Sequence, residues 1–488
     1  MELAKDLQSR QEVRDLVSAA AAAQETLRRM DQKTIDKIVK AMAERAAQHA
    51  AELAQLAVDE TGFGNVTDKI EKNRFASLTL WDHIRDLKTI GILKKNDENR
   101  VWDVGVPVGV VAGIIPSTNP TSTVIYKTMI ALKSGNAIVF SPHPNAVCCS
   151  IRAAKLMAAA AEEAGCPKGA IGCVTMPTMD AVNELMKHPQ VRLILATGGS
   201  AMVRAAYSSG TPAIGVGAGN GPAYLHPSCD LKQAVAHIVR SKTFDNGVVC
   251  ASEQSIIYHR VMGQEVENEL KKQGCAILSE ADGKKLASFL FRANGTINPQ
   301  IVGKTAGAIA RMAGLSQEAH HAKVLLARET GVGKKFPYSM EKLCPVLGLY
   351  EVADQQQALR LSCEILHHEG SGHTFVIHAK DATVVEEFAH EVPVSRFLVN
   401  TPAALGGIGA TTGLFPALTL GCGAVGGSSS SNNIGPLDLI NIRRVAWGHN
   451  NQETAHTTPV DTSLKHDNLL DQLTEKLLQR LWEKERQL

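Results

Sequence analysis

Val108-Gly109-Val110-Val111-Ala112-Gly113-Ile114-Ile115-Pro116 is a continuous apolar run that stops at a proline. A run of this kind, without polar alternation, reads as a strand buried on both faces. The proline lacks an N–H and marks the strand's end. Similar runs follow at Ala137-Ile138-Val139-Phe140, at Val191-Arg192-Leu193-Ile194-Leu195-Ala196 and at Ala213-Ile214-Gly215-Val216. Helical patterns separate them, Ala-rich over 146–164 and again from about Met202. Strands spaced by helices imply a parallel sheet with right-handed crossovers. Residues 1–224 therefore read as a doubly wound, α/β nucleotide-binding domain.

Outward from this core, residues 1–60 carry Ala, Leu and Val at helical spacing, and the pattern continues to about Trp81. Residues 93–106, with the turn-like Asn96-Asp97-Glu98-Asn99, predict a hairpin. Alternation restarts at about 231, giving a second α/β unit over 225–425. Residues 426–448 read as a Gly/Ser/Asn loop followed by a strand, and 449–463 as a polar linker. Residues 464–488 predict an amphipathic helix with Leu470, Leu473, Leu477 and Leu481 on one stripe, widened by Leu469, Leu478 and Trp482. No internal repeat is visible.

The 488 residues are 44% hydrophobic and 20% charged, enough apolar material for a core. Lys+Arg number 51 and Asp+Glu 49, a balance that excludes a strongly basic nucleic-acid binder. No apolar stretch suits a membrane span and the N-terminus has no signal core, so a cytoplasmic protein is expected. The ten cysteines form no CxxC pair, which disfavours disulfide scaffolds and zinc ribbons and leaves a thiolate nucleophile open. Gly303-Lys304-Thr305 and Gly331-Val332-Gly333-Lys334-Lys335 are incomplete phosphate loops. The adjacent pairs His320-His321 and His367-His368 point apart, so no metal is expected.

The segment Lys242-Thr243-Phe244-Asp245-Asn246-Gly247-Val248-Val249-Cys250-Ala251-Ser252-Glu253-Gln254 carries the chemistry. It resembles the nucleophile loop of the aldehyde dehydrogenase superfamily, in particular the aldehyde dehydrogenase half of bifunctional aldehyde–alcohol dehydrogenases, a CoA-acylating branch. The resemblance runs from about residue 10 to about 446. It implies an aldehyde-dehydrogenase-like fold: a nucleotide-binding domain, a catalytic domain around Cys250, and an oligomerisation flap from the 93–106 hairpin and the strand near 437–446. A homodimer or homotetramer follows from such flaps.

The resemblance also assigns roles. Cys250 is the nucleophile toward an aldehyde carbonyl. Ile115-Pro116-Ser117-Thr118-Asn119-Pro120 resembles the family's Pro-x-Asn-x-Pro region, which makes Asn119 an oxyanion donor beside the Cys250 N–H. A plain turn former before a proline is the other reading of Asn119. Glu341-Lys342-Leu343-Cys344-Pro345 resembles Glu-x-Phe-Gly-Pro, whose Glu holds the nicotinamide ribose, so Glu341 is the counterpart, with Leu343 and Cys344 replacing Phe and Gly. Thr197, Gly198, Gly199 and Ser200, between a strand and a helix, suit a pyrophosphate. Ser141, Pro142 and His143 occupy the place of the adenosine-ribose contact. The cofactor is read as NAD, with NADP open.

Gly215-Val216-Gly217-Ala218-Gly219-Asn220 departs from the Glu-Leu-Gly-Gly of hydrolytic members, with Gly217 near the position of their general base. Loss of such a base slows water attack by about 10²–10⁴-fold. Transfer to coenzyme A is the implied outcome, and the glycines leave room for its pantetheine. Gly372-His373-Thr374 resembles the Gly-His-Thr of acylating members, where His373 assists the thiol or orients the thioester; a structural histidine is the alternative. Phe415 and Cys422 are candidates for the substrate pocket. The reading is an NAD-dependent, CoA-acylating aldehyde dehydrogenase for acetaldehyde or propionaldehyde. A hydrolytic dehydrogenase and a catalytically dead microcompartment protein are the alternatives. A low-pKa Cys250 is expected to alkylate first among the ten thiols. The 464–488 helix resembles peptides that load enzymes into bacterial microcompartments, against a helix packed on its own protein or self-associating.

Overall fold

The computed structural model describes residues 4–448 and 467–485. The described residues divide into two compact units, one of residues 4–93 and 104–443, the other of 94–103, 444–448 and 467–485.

In the larger unit the chain begins with helices Lys5–Leu27, Gln32–Gln48, Ala50–Thr61 and Val66–Arg74. Ile35, Ile38, Val39, Met42, Ala43 and Ala46 are buried at i, i+3, i+4 spacing, so the second helix turns one stripe to the core. Asp31 and Asn65 cap their helices, accepting from the N–H groups of Thr34 (2.8 Å) and Asp68 (2.9 Å).

The apolar runs form two all-parallel sheets. The first has five strands in the order Ile171–Cys173, Ala137–Ser141, Val110–Ile114, Val191–Thr197, Ala213–Val216. Chain order therefore reverses between Val110–Ile114 and Val191–Thr197, and ligands of such sheets bind at the carboxyl ends of the strands at this switch point. The helix Pro120–Lys133 is buried along its whole length. Its Lys127 Nζ donates to the carbonyls of Ile114 and Leu195, both at 2.8 Å, tying the two switch-point strands together.

The second sheet has seven strands in the order Cys275–Ile277, Val324–Arg328, Val346–Val352, Glu253–His259, Gly221–Leu225, Gly372–His378, Val394–Val399. Gly221–Leu225 falls within the 1–224 stretch that the sequence assigns to the first domain. It pairs with Glu253–His259 and Gly372–His378, so the second layer begins before residue 225.

Gly91–Asn96 and Val101–Pro107 form the expected hairpin, and Ile440–Ala446 joins them in a three-stranded sheet. In the smaller unit Trp102 packs edge-on against Trp447 at 4.7 Å and Lys95 lies 4.2 Å above Trp102. The expected linker 449–463 lies outside the described residues. The C-terminal helix spans Asp467–Glu485, with Leu473, Leu477, Leu478 and Trp482 exposed. No helix among the described residues is long and apolar enough to cross a membrane.

Candidate active site

A cavity of about 260 Å³ opens at the switch point of the first sheet. Pro116 to Asn119 reach it from the end of Val110–Ile114, and Thr197, Gly198 and Gly199 from the end of Val191–Thr197. Val248, Val249 and Cys250 enter from the loop before Glu253–His259, and Glu341 from the segment before Val346–Val352. Four motifs spread over more than 200 residues thus meet in one cavity. His143 and Gly217 line it as well.

The nucleophile loop is shaped by backbone conformations that side chains rarely adopt. Asp245 (φ 48°), Asn246 (φ 53°) and Gly247 (φ 76°) are successive left-handed residues. Side-chain anchors hold them. Asn246 Nδ2 donates to the carbonyls of Gly303 (2.9 Å) and Gly64 (3.2 Å). Asp245 is fully buried and accepts from the Asn65 N–H (2.8 Å), from Lys69 Nζ (2.9 Å) and from Lys72 Nζ. These two lysines hold the Asp245 carboxyl below its ordinary value against the opposing effect of burial.

Asn119 precedes the helix Pro120–Lys133, whose first residue is the proline. Its Oδ1 accepts from Lys72, and its Nδ2 donates to the Val248 carbonyl at 3.3 Å and to Thr118 Oγ1 at 3.2 Å. Its NH₂ group is thus on the Val248 side, two residues from the nucleophile.

The opposite side of Cys250 is electrically different. Gly219 approaches so closely that a Cβ there would fall 2.0 Å from the Cys250 carbonyl oxygen and 3.1 Å from His373 Cε1, so only glycine fits. His373 is buried, and its Nδ1 lies 2.9 Å from Thr374 Oγ1. Arg396 Nε donates to that hydroxyl at 3.4 Å. His373 Nε2 is a buried atom without a hydrogen-bond partner. Burial, with the Arg396 charge adding to it, holds His373 down to about 3, so the ring is neutral at pH 7. Glu341 accepts the Gly219 N–H at 3.0 Å; burial and the neighbouring Glu369 push it up to about 8.

Cys250 itself departs from the expected low-pKa thiol. Burial pushes it up to about 12, with the Glu341 charge and Cys422 acting in the same direction and Arg396 against them. Cys422, buried, and Phe415, partly buried with its ring against Gly435, are both outside the cavity lining. Ser141, Pro142 and Ser200 are also outside the lining; Ser200 opens the helix Ser200–Tyr207. Lys72 and Ile408 line the cavity without a sequence assignment. Lys69 and Lys72 are legible only as two cations at i, i+3 on an otherwise polar helix.

A Cβ at Gly199 or Gly217 would meet nothing within 4 Å, so both mark open space. The buried Ser141 Oγ lacks a partner, and Glu341 is the one carboxylate among the lining residues. Open glycines beside a strand end, an orphaned hydroxyl and a carboxylate suit a dinucleotide. Among the described residues no group of three or more His, Cys, Asp or Glu could hold a metal ion.

Comparison with known proteins agrees with this fold. The Aldehyde dehydrogenase family profile matches residues 5–282, and the chain belongs to that family. The bifunctional aldehyde-alcohol dehydrogenase of Escherichia coli K12 is 42% identical over 440 residues, covering 89% of this chain and 49% of the relative. The chain thus spans about half the length of that curated relative. The crystal structure of an acetylating aldehyde dehydrogenase from Geobacillus thermoglucosidasius is 51% identical, with a TM-score of 0.89 over 91% of this chain and 98% of the other. A propionaldehyde dehydrogenase from the Clostridium phytofermentans fucose utilisation bacterial microcompartment is 28% identical, with a TM-score of 0.80 over 89% and 97%.

Proposed function

We propose that this chain is a CoA-acylating aldehyde dehydrogenase that converts a short neutral aldehyde, CoA and NAD⁺ to acyl-CoA, NADH and a proton. The observation that carries the reading is that Cys250 and Asn119, the latter with its NH₂ group on the Val248 carbonyl, line one cavity in which Gly217 leaves open space. The Cys250 sulfur adds to the aldehyde carbon, and the carbonyl oxygen becomes an oxyanion met by Asn119 Nδ2 and the Cys250 N–H. Bound NAD⁺ supplies a hydride acceptor and a positive charge. Thr197, Gly198 and Gly199 would hold its phosphates and Glu341 a ribose. Loss of hydride leaves a thioester on Cys250. With no carboxylate besides Glu341 lining the cavity, water is not activated, and a thiol that needs less help takes the acyl group. His373, neutral, buried beside Gly219 and outside the cavity lining, is the candidate for assisting the incoming thiol or orienting the thioester. The lining contains no arginine and its one lysine, Lys72, is paired with Asp245, which favours acetaldehyde or propionaldehyde over an anionic aldehyde.

The name of the Geobacillus neighbour supports acyl transfer, and that of the Clostridium neighbour supports a microcompartment setting. In that setting the Asp467–Glu485 helix, exposing Leu473, Leu477, Leu478 and Trp482, is the segment that docks on a shell or cargo partner. The strand Ile440–Ala446, exposed along most of its length, is the seam of a homodimer or homotetramer. Measuring NADH formation from acetaldehyde and NAD⁺, with and without CoA, on wild type and Cys250→Ala tests the reaction. Strict dependence on CoA and Cys250 is expected. Equal turnover without CoA would establish a hydrolytic enzyme instead, and failure of a full aldehyde panel would leave a dead site.

A further inference from the structure

We propose that Lys72 is a positioning residue: clamped by Asp245, its ammonium fixes which face of the Asn119 carboxamide looks toward Cys250. The inference rests on the aldehyde-addition reading above. Lys72 lies on the helix Val66–Arg74 and is 2% exposed. Its Nζ donates to Asn119 Oδ1 and to Asp245 Oδ2. An ammonium has three donors and no acceptor, so only the carboxamide oxygen can face it. The NH₂ group is thereby turned to the Val248 carbonyl, on the nucleophile's side. Without that cation only the long 3.3 Å contact to the Val248 carbonyl still selects the NH₂ face, since the Thr118 hydroxyl suits either orientation, and in the flipped one the oxyanion meets an oxygen.

The clamp is built from both ends. Lys69, one turn earlier, donates to Asp245 Oδ2 and to the Thr118 carbonyl, both at 2.9 Å, so the residue before Asn119 is anchored by the same carboxylate cluster. The backbone at Gly64 is moulded around Asp245: a Cβ there would fall 1.8 Å from Asp245 Oδ1. Asp245 belongs to the loop that carries Cys250, so one carboxylate sets the loop of the nucleophile and, through Lys72, the face of the oxyanion donor. An ion pair that served stability alone would not need Asn119 as its third member.

The test is a double-mutant cycle. Wild type is first assayed with acetaldehyde, NAD⁺ and CoA; absence of turnover there would count against the proposed reaction and not against the clamp. In an active enzyme, Lys72→Met leaves Asp245 paired with Lys69. It is expected to lower kcat by about 10–100-fold, somewhat less than outright loss of an oxyanion donor, with the aldehyde KM within about threefold. In the Asn119→Ala background the same substitution is expected to cost less than about twofold, because its target is gone. Lys72→Gln, which keeps a donor to Asn119 Oδ1, is expected to recover part of the loss and serves the same cycle if the Met variant does not fold. An equal loss in both backgrounds, no loss in either, or a Gln variant as impaired as Met would each overturn the proposal.

Discussion

The two sides of Cys250 follow opposite electrostatic plans. On the Asn119 side, Lys69, Lys72 and Asp245 are buried and paired; burial lowers Lys72 to about 8, and Asp245 opposes that shift, so the ammonium persists at pH 7. On the Gly219 side, His373 and Glu341 are pushed by burial toward their neutral forms, and His373 Nε2 has no partner. A buried charge is tolerated where partners and hydrogen bonds compensate it, and a titratable group neutralises where they do not. The difference matches what each side has to do. Holding an amide in one orientation suits fixed charges, whereas a site that admits cofactor and thiol in turn is served by groups left uncommitted.

The charged side should break hardest. Asp245→Ala removes the shared acceptor of two buried ammonium groups and leaves the left-handed turn at residues 245 and 246 without its anchor. Orphaning a buried ion costs about 3–5 kcal/mol. Urea unfolding followed by intrinsic fluorescence should show that loss, and a change below about 1 kcal/mol would mean that the cluster is solvated.

The neutral side should respond in the other direction. Glu341 has an ordinary value of 4.5 and is pushed to about 8 in the folded chain, so between these limits the folded state holds the extra proton. Stability therefore falls as pH rises through this window, and the penalty is complete above pH 8. Glu341→Gln removes it. The variant should gain on the order of 2 kcal/mol at pH 9, screening by the open cavity included, and almost nothing at pH 4.5. Calorimetric Tm values at the two pH values decide this; a gain at the lower pH would reverse the sign assigned to this carboxyl.

How far the sequence shows these two plans depends on where each residue's partners lie. The strands at 108–116 and 191–197 are legible because a buried parallel strand writes its burial into every residue. Cys250, Asn119 and Glu341 are legible through the motifs around them, and all three line the cavity. Lys72 is not legible, because the carboxylate that buries it stands 173 residues away and the helix that carries it reads as polar surface. The strand Gly221–Leu225 is not read from the sequence at all: five residues opening on Gly-Pro carry little strand pattern, and the strands it pairs with lie far along the chain. The low-pKa expectation for Cys250 fails because burial, which the local sequence does not report, outweighs the nearby Arg396.

Gly217→Glu tests whether the neutral side lacks only a base. A Cβ at this position meets nothing within 4 Å, so the substitution should not disturb the fold. A positioned general base is worth about 10²–10⁴-fold, and an unsupported one should give about a tenfold rise in CoA-independent NADH formation. No rise, with Tm unchanged, would show that water is excluded for a reason other than the missing carboxylate.

The smallest effect concerns the thiol itself. All ten cysteines are shifted upward, and Cys148 is the exposed one among them. Iodoacetamide attacks through the thiolate, so exposure decides the order when no thiol is activated. At pH 7.5 without ligands Cys148 should therefore be modified before Cys250, as read by peptide mass spectrometry. With Cys250 pushed to about 12, its alkylation rate should climb about tenfold per pH unit between 7 and 9, in step with its thiolate fraction. Saturating NAD⁺ brings a positive charge into the cavity that favours the thiolate, and the Cys250 rate should rise severalfold while that of Cys148 stays put. A Cys250 that reacts first in the apoprotein would mean that the neutral side already holds a compensating cation, and the contrast between the two sides of the nucleophile would collapse.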